Sequence, residues 1–402
     1  MPAAEYWRRA GDQALRQAAY VEAMRQLERG IGLLRAGVPD STERARTEVE
    51  LLTTSGTVLF MTKGYSTPEV ENTFAQAWEL CERRGEDIPL KVLFGMWGVQ
   101  ITRSNYAGVE KLIPRAQRLL TQTDDLVSVI IARSMLGANA FWRGNLVEAG
   151  EHLTRGRELY GTEAFERFTR EYGYDAGLYL HGFAVFTLWQ LGYPDRALAV
   201  QRELLAIAEQ SRSPYSIALA LGFGVVLAKD RGDTDAVLAM TDRLMALASE
   251  QHFHIWAALA LANRGEALSQ HGAVEEALPV IQQGLAIFRA AGFYSMYGFY
   301  LTHLAAAHLR AGQTSEGLRV VDEGLQLCKT LVSRYYEAEL RRLQGELLLQ
   351  RGDCDAAEAA LRWAVAVARQ KLARSYELRG ATSLSRMLHA AGKGAEAQSL
   401  LQ

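Results

Sequence analysis

Apolar residues along this chain recur at the three- and four-residue spacing of helices, in paired segments parted by a short polar turn. The pattern is plainest between residues 335 and 368. Ala338, Leu343, Gly345 and Leu348 fall close to one helical face, and Ala357, Leu361 and Ala364 follow at i, i+4 and i+7 on a second helix. Arg351-Gly352-Asp353 lies between them. Glycine ends the first helix because it enters the left-handed region without a Cβ penalty, and Asp353 or Asp355 is placed to cap the second. Gly345 and Ala357 are small where the two helices would cross, so the unit predicted is a helical hairpin.

The unit repeats. Gly192, Gly232, Gly272, Gly312, Gly352 and Gly392 stand forty residues apart, Ser104 and Gly64 continue the step, and Gly144 precedes Gly192 by forty-eight residues. With a looser first copy turning near Ala18, the reading is one domain, 1–402, of ten hairpins turning near 18, 64, 104, 144, 192, 232, 272, 312, 352 and 392, the last cut short at Gln402. Ala149, Ala197, Ala277 and Ala397 keep the small second-helix position, which is the packing code of the tetratricopeptide repeat on a stride longer than its usual length. The expected fold is all-α: a tetratricopeptide-like, right-handed superhelical solenoid with a forty-residue period. Eight additional residues fall at about 160–177, as a surface loop or as an element folding over the concave face. Pro114 and Pro279 sit inside second helices and should bend them.

Composition narrows the function classes. Of 402 residues 49% are hydrophobic and only eight are proline, enough for a large helical core. Forty-four basic against forty-six acidic side chains leave a net charge of −2, which argues against nucleic acid or an anionic membrane as partner. Cys81, Cys328 and Cys354 are scattered and odd in number, and the start of the chain has no apolar signal core, so the expected location is the cytoplasm.

Candidate chemistry is sparse. His252 and His254 have no third ligand at a useful spacing, and His303 and His308 lie roughly 140° apart around one helix, so no metal site is expected. Glu266 and Glu346 share a register and need not form a catalytic pair. No G-x-S-x-G, H-E-x-x-H, C-x-x-C or Walker A pattern occurs. The reading is a non-enzyme without a cofactor. Tyr172, Asp175 and His181 near the insertion are the residues an enzyme would use.

First helices of such hairpins line the concave face. Counting from the turns places Phe94, Ile101, Phe141, Trp142, Tyr179, Phe186, Trp189 and Phe299 there, with His181 beside them. Toward the C-terminus the same positions become Glu339, Arg342, Glu346, Arg379, Arg386 and His389. For any one residue, inter-repeat packing or a solvated face is the plainer reading. As a set they form an apolar groove with a charged end, suited to a peptide, an amphipathic helix or a small effector.

The segments YWRRAGDQALRQAAYVEAMRQLERGIGLL at 6–34, KGYSTPEVENTFAQAWELC at 63–81, YGYDAGLYLHGFAVFTLWQLGYPDRAL at 172–198 and YYEAELRRLQGELLL at 335–349 carry a resemblance. The whole chain resembles the tetratricopeptide region of bacterial STAND-type ATPase and adenylate or guanylate cyclase regulators, and with them resembles the related repeat domain of the maltose-regulon activator. The ATPase and output modules are absent from this sequence. The resemblance implies a regulatory or sensor arm that binds a protein or peptide segment, possible partners including a signalling ATPase or cyclase module. The alternative it implies is a domain sensing a sugar- or nucleotide-like effector.

Overall fold

The computed structural model describes residues 2–331 and 334–401. Helices pair in chain order: α1 (Pro2–Arg16) with α2 (Tyr20–Gly37), α3 (Thr42–Lys63) with α4 (Pro68–Arg84), α5 (Leu90–Thr102) with α6 (Tyr106–Gln122), and α7 (Leu126–Arg143) with α8 (Leu146–Leu159). A lone helix, α9 (Thr162–Tyr172), then intervenes. Pairing resumes with α10 (Leu178–Gln190) and α11 (Pro194–Ser211), α12 (Pro214–Asp230) and α13 (Thr234–Gln251), α14 (His254–Gln270) and α15 (Val274–Ala291). It ends with α16 (Tyr294–Arg310) and α17 (Thr314–Thr330), α18 (Glu337–Gln350) and α19 (Cys354–Gln370), α20 (Arg374–Ala390) and the short α21 (Gly394–Ser399). Among the described residues there is no strand, and the fold is a tetratricopeptide-like solenoid of ten hairpins.

Helix length explains the stride. Hairpins six and seven use first helices of 17 residues and second helices of 18, joined by short turns and links. At Gly232 the chain closes each first helix with two reverse bonds, Gly232 N–H to Lys229 O at 3.0 Å and Asp233 N–H to Ala228 O at 3.0 Å, which require the left-handed φ of +74°. Asp233 and Asp353 then accept from the N–H of Ala236 and Ala356, capping the following helices. Where the turn falls on Ser104, in stride, and on Ala18, forty-six residues before Gly64, those residues take the left-handed conformation themselves. Pro114 and Pro279 lie inside continuous helices.

The two helices of a hairpin are buried differently. α13 buries a single stripe, Val237, Thr241, Leu244 and Ala248, as expected of a helix with one wet face. In α12 nearly every residue from Tyr215 to Ala228 is buried, so it must be covered on more than one side. Consecutive first helices pack on one another from α1 through α20, which covers the flanks. The remaining face is covered by the chain's own next turn. α3 packs on α14, α5 on α16 and α10 on α20, so hairpins two, three and five meet hairpins seven, eight and ten. Five hairpins therefore complete one superhelical turn, and successive turns touch.

The insertion is an ordered wedge. α9 packs on α7 and buries Ala164, Phe168 and Tyr172. The strand of chain after it carries Tyr174 and Asp175, both buried, into the interior. One apolar core extends from Ala4 to Tyr376, and a separate cluster around Leu348, Leu361, Leu384 and Leu388 underlies the last two hairpins. Among the described residues no helix is long and apolar enough to cross a membrane.

Candidate ligand-binding interior

The concave face is largely covered, and what remains of it is an apolar cavity of about 110 Å³ that opens beside half-buried Phe186, Ile255, Trp256 and Phe293. Its walls come from both superhelical turns: Phe60 and Met61 of α3, Phe94 and Trp97 of α5, then Ile255 and Trp256 of α14 opposite. Trp142, Tyr179, Phe183, Phe186, Tyr215 and Phe223 complete the middle. The rings lock one another. Phe60 stacks on Tyr65 at 4.1 Å, Phe94 on Trp97 at 5.6 Å, and Phe186 leans on Phe223 at 4.7 Å. The hydroxyls of Tyr179 and Tyr215 bond to each other at 2.6 Å, and burial pushes the Tyr179 hydroxyl up to about 12.

The sequence-expected groove residues divide on this geometry. Phe94, Ile101, Trp142, Tyr179 and Phe186 come together on the cavity wall. Phe141 and Phe299 are buried beside it, where Tyr335, just ahead of α18, covers Phe141, Trp142 and Phe299 at ring distances of 5.1, 5.1 and 5.7 Å. Trp189 is half-buried near the end of α10. An open aromatic trough is therefore not what these residues form: a coil of five hairpins per turn lays the second turn across the first. His181 faces outward to the second-helix layer, fully buried, its ring 4.8 Å from Tyr160 and its Nε2 3.6 Å from Glu203. His181 and Arg157 hold the Glu203 carboxyl down at about 2 against its partial burial.

The charged positions gather at one end. Arg342 donates to both Glu339 oxygens at 3.0 and 2.7 Å, Arg379 donates to Glu339 at 2.7 Å, and Ser383 donates to Glu346 at 2.5 Å. Burial by itself would raise the Glu339 carboxyl, but Arg342 and Arg379 outweigh it and hold the group at about 2. Arg310 pairs with Glu266 on the adjoining helices, and Lys229 sits 5.0 Å over the Phe299 ring, joining charged and aromatic sections. Arg386 and His389 lie exposed further along α20.

Near the insertion, Asp175 accepts from the Tyr160 hydroxyl and from Gly177 N–H at 2.9 Å. Burial pushes its carboxyl up to about 7 against those two bonds. Tyr172 is turned away from this carboxylate, its ring carrying Lys91 at 5.0 Å. Asp175 and His181 thus meet on Tyr160 and the Gly177 backbone, while Tyr172 stands apart with Lys91. Among the described residues no group of three or more His, Cys, Asp or Glu could hold a metal ion.

Phe60, Tyr65, Trp97, Tyr215, Ile255 and Trp256 belong to the cavity and escape a reading of one hairpin at a time. The available signal was the all-round apolarity of first helices such as α12, which demands a cover.

No protein-family model matches the sequence, and no curated protein matches it. Solved structures are similar in fold. A Rap protein complexed with competence and sporulation factor matches with a TM-score of 0.53 at 13% identity, over 87% of this chain and 99% of that one. A signal transduction ATPase with numerous domains and a tetratricopeptide repeat sensor, from Pyrococcus horikoshii, matches at 0.44 and 14%, over 90% of this chain and 52% of that one. Aspartyl phosphate phosphatase F from Bacillus subtilis matches at 0.45 and 11%, over 99% and 91%. The likeness to the Rap protein is one of fold: a tetratricopeptide-like helical-repeat scaffold.

Proposed function

We propose that this chain is a non-catalytic regulatory arm of a signalling protein, which binds a protein or peptide segment on its inner face when the coil opens. The observation that carries the reading is the contact between successive turns. Within a turn and between turns the apolar core is continuous, with Tyr335 on Phe141 at 5.1 Å across the turns, and there the apolar contact is joined by single polar bonds such as Ser375 Oγ–H to Gln190 Oε1 at 2.7 Å. A spring of this kind has a closed state, in which the aromatic and charged inner residues satisfy one another, and an open state that presents them. The Rap protein of similar fold was solved with competence and sporulation factor, which is consistent with a scaffold that holds a signalling ligand. The resemblance to STAND-type and cyclase regulators supplies the kind of partner, an attached or separate ATPase or cyclase module.

Locking the coil tests this. In a Cys354→Ser background, Gln190→Cys and Ser375→Cys bridged by a short bifunctional maleimide should lose the partners captured by the unbridged variant. Equal capture by bridged and unbridged protein would refute an inner binding face.

The cavity itself favours a second reading, an effector-sensing domain. Occupancy of a space walled by both turns would bias the coil toward closure, because only the closed state offers the whole wall.

A further inference from the structure

We infer that the interior cavity is a receptor site for a small, neutral, single-ring aromatic molecule bearing at most one hydrogen-bond acceptor. This rests on the effector-sensing reading and narrows it, since a sugar or a nucleotide does not suit this wall. The size sets the first limit. An apolar cavity of about 150 Å³ takes up benzene, and the space here is about 110 Å³ with half-buried Phe186 and Trp256 among its walls. A single ring is the largest group such a space takes in without separating the turns, and a small substituent on it has room only toward the half-buried rim at Phe186 and Trp256.

The wall chemistry sets the second limit. No charged side chain lines the cavity, so an ionised ligand would leave its charge unpaired in an apolar enclosure. A peptide is excluded by the same argument, because its backbone N–H and C=O groups would find almost no partners there. The polar atoms on wall residues are few and mostly committed: the Tyr179 and Tyr215 hydroxyls bond each other, and the Thr102 hydroxyl donates to Gly98 O at 2.7 Å. The exceptions are the Trp97 indole N–H and the Tyr65 hydroxyl, both buried and without a hydrogen-bond partner among the described residues. A buried donor of that kind is a standing cost that one ligand acceptor would relieve.

The third limit is shape. Phe60 on Tyr65 and Phe94 on Trp97 each present near-parallel ring pairs, with interplanar angles of 9° and 23°, and edge-on rings close the gaps between them. Flat aromatic faces and edges pack a flat aromatic guest better than a branched aliphatic one.

The full chain is titrated with toluene, acetophenone and benzoate, following intrinsic tryptophan fluorescence and the melting temperature. Trp97, Trp142 and Trp256 stand in the wall, so a bound guest reports directly. Toluene and acetophenone should bind saturably and raise the melting temperature, acetophenone the more tightly, with benzoate at least tenfold weaker. Leu259→Phe, which adds volume at the wall, should fold with unchanged helicity and lose at least tenfold in acetophenone affinity; Met296→Phe serves if Leu259→Phe does not fold. Trp97→Phe should reduce the preference for acetophenone over toluene, and Trp97→Phe combined with Tyr65→Phe should remove it. Binding of benzoate as tight as acetophenone, undiminished binding by the filled variant, or no saturable response to any neutral probe overturns the proposal. These outcomes leave the effector-sensing reading separately testable: a filled cavity that still responds to another metabolite refutes the ligand class alone.

Discussion

Gly64, at the turn of the second hairpin, lies so close to Ile255, at the start of the seventh hairpin's first helix, that a Cβ built on it would overlap the Ile255 side chain. This glycine is required twice over. Its φ of +93° with ψ of +153° belongs to a region open essentially to glycine, and its missing side chain is what lets the turns meet. Gly232 has the left-handed φ but nothing within 4 Å. Gly232→Ala should cost about 1–2 kcal/mol, the strain of a left-handed alanine. Gly64→Ala should cost about 2 kcal/mol more, through overpacking against Ile255. Urea denaturation of the two variants checks the difference, and equal losses would mean that the turns do not touch there.

Local grammar made the hairpins legible. Turn glycines such as Gly232 and Gly352, the aspartates that cap after them, and the Gly345–Ala357 crossing are all short-range requirements, written within forty residues of one another. The interior was legible only by half. Phe94, Trp142 and Phe186 could be assigned to the inner face from their register. Their opposite wall, Ile255 and Trp256, comes from two to four hairpins later, and superhelical pitch depends on small rotations summed over every helix contact. No spacing in the sequence states that sum, so the sequence predicts an open trough where the second turn covers most of the inner face.

Ala357 is fully buried where α18 and α19 cross, and a Cβ added at the facing Gly345 would lie 3.2 Å from its carbonyl oxygen. A carboxylate has no room and no partner at that crossing. Ala357→Glu should cost several kcal/mol, measured as a lowered denaturant midpoint. A glutamate in place of exposed Cys354, one turn earlier, should be close to neutral. Because this crossing belongs to the C-terminal cluster, the first loss in Ala357→Glu should be of hairpins nine and ten, seen as early exchange of their amides.

Asp175 gives the fold a pH dependence of unusual sign. Burial raises its carboxyl from an ordinary value of 3.8 to about 7, so the folded state holds the proton more tightly than the unfolded chain. Its contribution is therefore most favourable below pH 3.8, is lost as pH rises, and is fully lost above about 7. Asp175→Asn keeps an acceptor for Tyr160 and Gly177 without the charge. The variant should match the parent near pH 4 and exceed it by a few kcal/mol at pH 8. Melting temperatures across that range check the widening gap, and a constant difference would place the carboxylate in a wetter setting.

Glu339 acts in the opposite direction at the charged end of the interior. Arg342 and Arg379 keep its carboxyl at about 2 rather than 4.5, so its contribution is complete above pH 4.5 and is lost as pH falls toward 2. Glu339→Gln leaves two guanidinium groups facing each other across a neutral amide. Because Arg379 is 42% exposed, water screens part of that repulsion, and the expected cost at pH 7 is roughly 2–4 kcal/mol rather than the full penalty of a broken buried pair. The same substitution should flatten the acid limb of the stability curve between pH 4.5 and 2, since the group that would take up the proton is gone. Parent and variant curves that stay parallel through that window would show that the two arginines do not bear on this carboxylate.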